Sequence, residues 1–271
     1  MPMSKPVALI TGASRGIGFY IAKTLSSLGY RTVILAKTTT PHPTLPGTIY
    51  TAAEAISQLG ETCLPIPTDL RDSEQIDQAF EQVRNTYGRL DLLVNNAGAV
   101  KLTDSLHLPN KHYDLMQQVN GRSCFLCCQA AHPLLTQGDN PHIINISPPI
   151  QLSAEFLLPH LAYAVSKYSM SLYTIGLSQA FKQDKIAINS LWPRYIVETA
   201  AINHLSPSLK TRCRTPQIMA DAVAWIVKQD SQTFTGQLLT DEQVLEKSGV
   251  SDFSQYAIDP EKSLFKDLFV D

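Results

Sequence analysis

The sequence has little net charge, and it lacks an apolar run long enough to cross a membrane. Its 22 lysine and arginine residues are nearly balanced by 24 aspartate and glutamate residues, for a formal net charge of −2. No global field would therefore attract nucleic acid or a membrane surface. Residues 1–6, before the first apolar run, are too few for a signal peptide. These absences predict a cytoplasmic protein with no nucleic-acid partner and no membrane span.

Cysteine is sparse and follows no regular spacing. The five cysteines are odd in number and scattered, at Cys63, Cys124, Cys127, Cys128 and Cys213. The Cys124-x-x-Cys127 pair lies in an apolar helical stretch, with no second pair and no nearby set of histidines. We expect buried thiols in a reducing compartment and no metal, with zinc or redox use as the alternative.

Short aliphatic or β-branched runs alternate with helical patterns along the chain, with no internal repeat and no linker. This alternation predicts parallel strands joined by right-handed crossovers. The predicted fold class is α/β: a three-layer doubly wound Rossmann fold with a central, mostly parallel seven-stranded sheet, in a single domain over residues 1–271. The predicted strands are 7–10, 32–36, 63–67, 90–95, 142–147, 186–191 and 237–240. The predicted helices are 17–28, 52–59, 73–87, 111–135, 161–182 and 216–228.

A glycine-rich turn lies at the first strand-to-helix junction. It reads Thr11-Gly12-Ala13-Ser14-Arg15-Gly16-Ile17-Gly18. The free N–H groups and the positive dipole end of the helix would face the same point, which favours an anion. The glycines let the backbone approach a pyrophosphate where a Cβ would collide. Such turns are common, but this position predicts dinucleotide binding.

No acidic residue occurs before Glu54. A unit that prefers NAD usually has Asp or Glu at the end of the second strand, where it holds the ribose 2′-hydroxyl. Here that strand ends at Lys37, and Arg15 lies within the glycine turn. Cations suit a 2′-phosphate, so we predict NADP(H) as the preferred cofactor, with NAD(H) as the alternative. Both cations would be solvated surface charges if the 2′-phosphate does not bind there.

Several polar or turn-forming residues lie at the end of a predicted strand or just after it: Asp69, Asn96-Ala97-Gly98, Ser147 and Pro193. Each has an ordinary structural explanation as a turn residue or helix cap. Ligands of doubly wound sheets, however, bind at the carboxyl ends of the strands. The shared position at one sheet edge therefore favours a binding site.

Tyr163 and Lys167 are four residues apart in a predicted helix, so their side chains share one face. A phenol has a pKa of about 10, which a nearby cation lowers. Such a tyrosine can exchange a proton with an alcohol or an alkoxide. A Tyr–Lys pair by itself is usually only a surface contact, but Ser147 and the glycine turn favour catalysis.

Together these motifs resemble the short-chain dehydrogenase/reductase superfamily. The resemblance covers residues 7–240 and rests on T-G-x-x-x-G-x-G, N-N-A-G, the serine at a strand end, Y-x-x-x-K and Thr235-Gly236. Within it, Ile146-Ser147-Pro148-Pro149 and Leu191-Trp192-Pro193 resemble the hydroxysteroid dehydrogenase-like protein 2 branch. Some members of that branch append a sterol-carrier domain, which this chain is expected to lack.

The resemblance implies a catalytic tetrad. Tyr163 would be the general acid/base, Lys167 would hold the nicotinamide ribose, and Ser147 would orient the substrate carbonyl. Asn120 would kink its helix and hold a water for proton relay. A homodimer or homotetramer is also implied. The implied cofactor-binding residues are Gly12, Ser14, Arg15, Gly16, Ile17, Gly18, Lys37, Asp69, Asn96, Ala97, Gly98, Tyr163, Lys167, Pro193 and Thr199.

Three segments depart from the family pattern. Pro193-Arg194 replaces Pro-Gly, so Arg194 would either select an acidic substrate group or point to solvent. Thr240-Asp241-Glu242 replaces Asp-Gly-Gly. The segment between Ser147 and Tyr163 is apolar and would border a substrate pocket or pack on a neighbouring loop. Residues 241–271 form an apolar-rich C-terminal extension expected to pack on the body or on a partner subunit.

The predicted function is NADP(H)-dependent interconversion of a ketone and a secondary alcohol on an apolar small-molecule substrate. The alternative is a catalytically silent dinucleotide-binding sensor or scaffold. An intact tetrad favours the enzyme.

Overall fold

A computed structural model describes residues 5–43, 45–200, 202 and 206–270. Seven parallel strands form one sheet in the order β3-β2-β1-β4-β5-β6-β7. The predicted doubly wound α/β fold is confirmed. The strands are β1 (Val7–Thr11), β2 (Arg31–Ala36), β3 (Cys63–Pro67), β4 (Leu92–Asn95), β5 (His142–Asn145), β6 (Ala187–Trp192) and β7 (Leu238–Thr240).

Helices cover both faces of the sheet. The described α-helices are α1 (Gly16–Ser27), α2 (Ile49–Ser57), α3 (Ser73–Tyr87), α4 (Asn110–Met116), α5 (Ser123–Leu135), α6 (Ala154–Leu157), α7 (Leu161–Ala180), α8 (Gln217–Ile226) and α9 (Asp241–Lys247). Among the described residues, no helix is long and apolar enough to cross a membrane.

The alternation of side chains along β1 divides the core into two layers. Ala8 and Ile10 belong to a buried cluster with residues of α1, α2 and α8. Val7 and Leu9 belong to a second cluster with residues of α3 and α5. All four side chains are buried, which explains why the strand is continuously apolar.

Two helical segments differ from the sequence expectation. The predicted helix 111–135 is interrupted by a π-helical turn, Gln117–Arg122, between α4 and α5. The helix predicted at 52–59 begins earlier, at Ile49, because Thr48 and Thr51 form a reciprocal capping box. The usual capping-box pattern is absent from the sequence, because a threonine occupies the third helical position, where Glu or Gln is usual.

A second capping box begins α9, a helix that the sequence analysis did not predict. The Gln243 backbone N–H donates to Thr240 Oγ1 at 3.3 Å, and the Thr240 backbone N–H donates to Gln243 Oε1 at 2.9 Å. The Thr240-Asp241-Glu242 departure is therefore a helix start placed directly after the last strand.

Candidate active site at the carboxyl edge of the sheet

The glycine turn lies between β1 and α1. Gly12 and Gly16 have φ angles of 70° and 61°, a region that disfavours side chains. A Cβ at Gly12 would lie 2.7 Å from the Ala97 Cα. Helix α1 begins without a side-chain cap and without an acidic residue in its first turn. Its first N–H groups are therefore suited to an anion such as a pyrophosphate.

The Asn96-Ala97-Gly98 segment is held against this turn. Asn96 Nδ2 donates to the Thr11 and Gly12 carbonyls at 2.8 and 3.2 Å. The Asn96 and Ala97 N–H groups both donate to Thr11 Oγ1 at 3.0 Å. A Cβ at Gly18 would lie 2.4 Å from Asn96 Nδ2. These contacts join the ends of β1 and β4, where the strand order reverses and ligands of such folds bind.

Arg15 and Lys37 lie beside the turn in different environments. Arg15 Nε and one terminal nitrogen donate to the Pro46 and Gly47 carbonyls at 3.0 and 2.9 Å. Lys37 is exposed directly after β2. Arg15 therefore orders the 46–47 loop, while Lys37 is the more accessible cation.

Asp69 is engaged by Arg71, a residue that the sequence reading did not single out. Arg71 Nε donates to both Asp69 carboxylate oxygens at 2.9 and 3.0 Å. This pairing, with help from Lys37, lowers the pKa of Asp69 to about 2. The Asp-x-Arg spacing gives no strong signal, because the pair depends on a turn between β3 and α3.

Asn120 lies in the π-helical turn, so the predicted helix irregularity is present. Its Oδ1 accepts from the Ala99 N–H at 2.7 Å. Its Nδ2 donates to the Ala99 carbonyl at 2.9 Å and to Ser166 Oγ at 2.8 Å. Asn120 thereby links the segment after β4 to α7. Ser166 was missed by the sequence reading, although it directly precedes Lys167.

Lys167 is buried at the end of β5. Its Nζ donates to the Ile146 carbonyl at 2.8 Å and lies 5.4 Å from the centre of the Trp192 ring. A Cβ at Gly98 would lie 3.6 Å from both Lys167 Nζ and Asn120 Oδ1, so these side chains converge. Burial lowers the pKa of the Lys167 ammonium to about 8.

Ser147 follows the carbonyl that Lys167 contacts. The residue is fully buried, and its Oγ has no hydrogen-bond partner among the described residues. A buried hydroxyl without a partner is costly, and a ligand oxygen would satisfy it.

Tyr163 is 8% exposed, one turn before Lys167 on α7. Burial, followed by the charge of Asp267, raises the pKa of its phenol. Lys167 Nζ, the cation expected to lower this pKa, donates to the Ile146 carbonyl.

The segment after β6 completes the edge. Thr199 is close to the glycine turn: its methyl carbon would lie 3.5 Å from a Cβ at Gly16. Pro193, the residue directly after β6, is buried. Arg194 Nε lies 3.3 Å from Glu242 Oε2, and its backbone N–H donates to Asp241 Oδ1 at 2.9 Å. Glu242 of α9 therefore supplies a carboxylate partner for Arg194, whose side chain is 40% exposed. The two alternatives for the role of Arg194 stay predictions.

The C-terminal strap, residues 265–270, reaches the same edge, which the sequence did not indicate. The Asp267 N–H donates to the Arg194 carbonyl at 3.0 Å, and Trp192 Nε1 donates to the Leu268 carbonyl at 2.8 Å. The Phe269 ring lies 6.0 Å from the Tyr163 ring. The described part of the extension therefore packs on the body of its own chain.

Burial and the nearby Asp241 raise the pKa of Asp267 from its ordinary value to about 7. A carboxyl group with a raised pKa in the folded state binds more protons there than when unfolded. Its contribution to stability is present below the unfolded pKa and is lost as the pH rises through 7. Replacing Asp267 by Asn should therefore stabilise the protein more at about pH 9 than at about pH 5, by about 1 kcal/mol after allowance for partial exposure.

Denaturant unfolding of both proteins at the two pH values measures this difference. An equal effect of Asp267→Asn at both pH values would show that the group does not titrate within that window.

All five cysteine side chains are buried free thiols, as predicted. Burial raises the pKa of Cys63 and of Cys213 to about 11, which suppresses thiolate reactivity. Among the described residues, no group of three His, Cys, Asp or Glu side chains is placed to hold a metal ion.

Comparisons with known proteins agree with this geometry. A family model described as short chain dehydrogenase matches residues 6–209. Hydroxysteroid dehydrogenase-like protein 2 of Danio rerio is 45% identical over 97% of this chain, which covers 63% of that protein. The chain thus spans less than two thirds of the length of this curated relative.

Solved structures are also similar. The crystal structure of a protein from Xanthomonas campestris is 42% identical, with a TM-score of 0.95 and full coverage of both chains. A metagenomic short-chain oxidoreductase in complex with NADP is 28% identical, with a TM-score of 0.72, covering 88% of this chain and 97% of that one.

Proposed function

Because the chain belongs to the short-chain dehydrogenase family, we propose that it is an NADP(H)-dependent oxidoreductase that interconverts a ketone and a secondary alcohol. The supporting observation is the unpartnered, buried Ser147 hydroxyl, which lies next to the carbonyl that Lys167 contacts. Tyr163 is one turn away on the same helix as Lys167. We propose that residues 1–271 form one domain that carries both cofactor binding and catalysis.

The residues present fit a dinucleotide. The uncapped start of α1 and the close approach of Gly12 to Ala97 leave a backbone cradle that side chains would fill. Ser14, Arg15, Ile17 and Thr199 would border the pyrophosphate, and Asn96, Ala97, Gly98 and Pro193 would line the nicotinamide half. A bound nicotinamide supplies the hydride.

The chain itself would orient the substrate and manage one proton. Ser147 Oγ donates a hydrogen bond to the substrate carbonyl oxygen, where negative charge develops on reduction. Tyr163 donates its hydroxyl proton to that oxygen, and in the reverse direction it accepts the alcohol proton. The Lys167 ammonium holds the ribose and stabilises the phenolate. Asn120 positions this assembly from the π-helical turn and would hold the water of a proton relay.

An apolar substrate is supported by the segment between Ser147 and Tyr163. Phe156 and Leu157 are partly buried against the core. Leu152 and Leu158 are 78% and 77% exposed. Exposed leucines beside a buried polar site are consistent with an apolar entrance.

We propose NADP(H) over NAD(H) because Lys37 is exposed at the end of β2 and no carboxylate precedes Glu54. Asp69, the nearby acid, is already paired with Arg71. The NADP-bound structural relative supports this preference.

Replacing Lys37 by Asp should shift the ratio of NADPH to NADH affinities toward NADH by at least about tenfold, since a charge-assisted contact becomes a repulsion. Fluorescence titration with both cofactors measures the ratio. Lys228→Asp makes the same charge change on an exposed lysine beyond the end of α8, at the opposite edge of the sheet, and should leave the ratio unchanged. An unchanged ratio in Lys37→Asp would show that Lys37 does not contact the 2′-phosphate.

We also propose a homo-oligomer. Leu161, Val165, Leu172 and Ile175 are exposed apolar residues on one side of α7, which is the pattern of a helix that packs against a partner. The cytoplasmic location stays a prediction from the sequence.

A further inference from the structure

The C-terminal strap is fixed alongside the segment that follows β6. The Ile196 N–H donates to the Phe265 carbonyl at 2.9 Å, and Tyr195 and Lys266 form an antiparallel bridge. The Asp267 N–H continues this pairing to the Arg194 carbonyl. A backbone held by successive hydrogen bonds gives the next side chains defined positions.

Phe269 is the residue that this backbone presents to the site. Its ring centre lies 6.0 Å from that of Tyr163, 5.3 Å from Tyr168 and 6.2 Å from Trp192. The residue is 3% exposed. These ring separations lie within the range of favourable aromatic contacts.

The backbone of Phe269 is unusual. Its φ angle is 69°, a left-handed conformation that a bulky residue rarely adopts. Such a conformation is strained and persists only where the surroundings hold it. Residues in this state cluster at binding sites, and here the strain places an aromatic ring against the proposed catalytic tyrosine.

The position of Phe269 limits the space available to a substrate. A carbonyl oxygen must reach both the Tyr163 and Ser147 hydroxyls, which are almost fully buried. The substituents of that carbonyl must then lie beside the groups that cover Tyr163, and Phe269 is one of them. We propose that Phe269 is a specificity-determining residue, the wall of the substrate pocket that restricts the bulk beside the reacting carbonyl. This inference rests on the proposed reductase function.

Replacing Phe269 by Ala tests the wall. The variant should raise kcat/KM for a bulky aryl ketone relative to a small methyl ketone by at least about tenfold, because apolar pockets discriminate by fit. Phe265→Ala is the matched control: it removes the same side chain from the same strap, but Phe265 is 43% exposed and packs on Arg212. Its ratio should stay within about twofold of the wild type.

Phe269→Gly is a second variant, which keeps the test valid if Phe269→Ala fails to fold. It also removes the ring, but glycine accepts the left-handed backbone without strain. Both Phe269 variants should show the same shift in preference. An unchanged ratio in a folded variant that still reduces the small ketone would overturn the proposal.

A binding measurement separates this inference from the proposed function. The chain has two tryptophans, so Trp225→Phe leaves Trp192, which contacts Phe269, as the single emitter. With NADP⁺ present, Trp192 emission reports binding of the aryl ketone even without turnover. Phe269→Ala in this background should bind the aryl ketone at least about tenfold more tightly. Tighter binding with no turnover would support the wall and contradict the reductase. Equal affinity, or no binding by either protein, would contradict the wall.

Discussion

Replacing Tyr163 by Phe should lower kcat for ketone reduction by at least about 10³-fold, while NADPH affinity stays near that of the wild type. The ring and its packing against Phe269 are retained, and only the proton that reaches the substrate oxygen is removed. A positioned general acid typically accounts for about 10²–10⁴-fold in rate. The decrease in NADPH absorbance across a ketone panel measures turnover, and fluorescence titration measures affinity.

Tyr168→Phe is the matched control for this change. Tyr168 is on the same helix and also packs against Phe269, but its hydroxyl donates to the Gln151 carbonyl at 2.9 Å. Its loss should alter the rate by only a fewfold. Substantial activity in Tyr163→Phe would remove Tyr163 as the proton donor. A wild-type chain that binds NADPH and reduces no ketone would favour the silent binding module.

Replacing Gly12 by Ala should weaken NADPH binding by about 10²-fold or more. The new Cβ would lie 2.7 Å from the Ala97 Cα, so backbone on one side must move. Asn96 and Ala97 are hydrogen-bonded to Thr11, and the displacement therefore distorts the whole cradle. A misplacement of about 1 Å in a binding site can cost such a factor.

Gly29→Ala separates this clash from backbone strain. Gly29 also has a positive φ, of 89°, but a Cβ there meets nothing within 4 Å. Both variants should lose about 1 kcal/mol of stability from the left-handed backbone. Only Gly12→Ala should lose cofactor affinity in titrations of folded protein. Equal affinities for the two variants would show that the approach of Gly12 to Ala97 does not shape the binding site.

Local sequence signals predicted the parts of the site that are local in the chain. The glycine turn and the Tyr163–Lys167 pair occupy neighbouring positions, so spacing alone defines their geometry. The strands were predictable because each is a short apolar run, and parallel pairing aligns their carboxyl ends. The irregular turn at Asn120 was expected only from the family resemblance.

The remaining features depend on contacts between distant segments. Phe269 meets Tyr163, and Arg194 meets Glu242, only after the sheet has formed. No periodicity in residues 241–270 specifies which surface they cover. The raised pKa of Tyr163 has a similar origin, because it depends on burial and on Asp267, a residue of that extension. Motifs therefore predict which residues would meet the reactants, while tertiary packing sets the environment of those residues.

A crystal structure of the chain with NADP⁺ bound is the most direct measurement of the central claim. The account predicts the pyrophosphate over the turn at Gly12, the 2′-phosphate beside Lys37, and the nicotinamide C4 within about 4 Å of the Tyr163 hydroxyl on the side facing Ser147. An ordered dinucleotide whose nicotinamide lies away from Tyr163, Lys167 and Ser147 would contradict it.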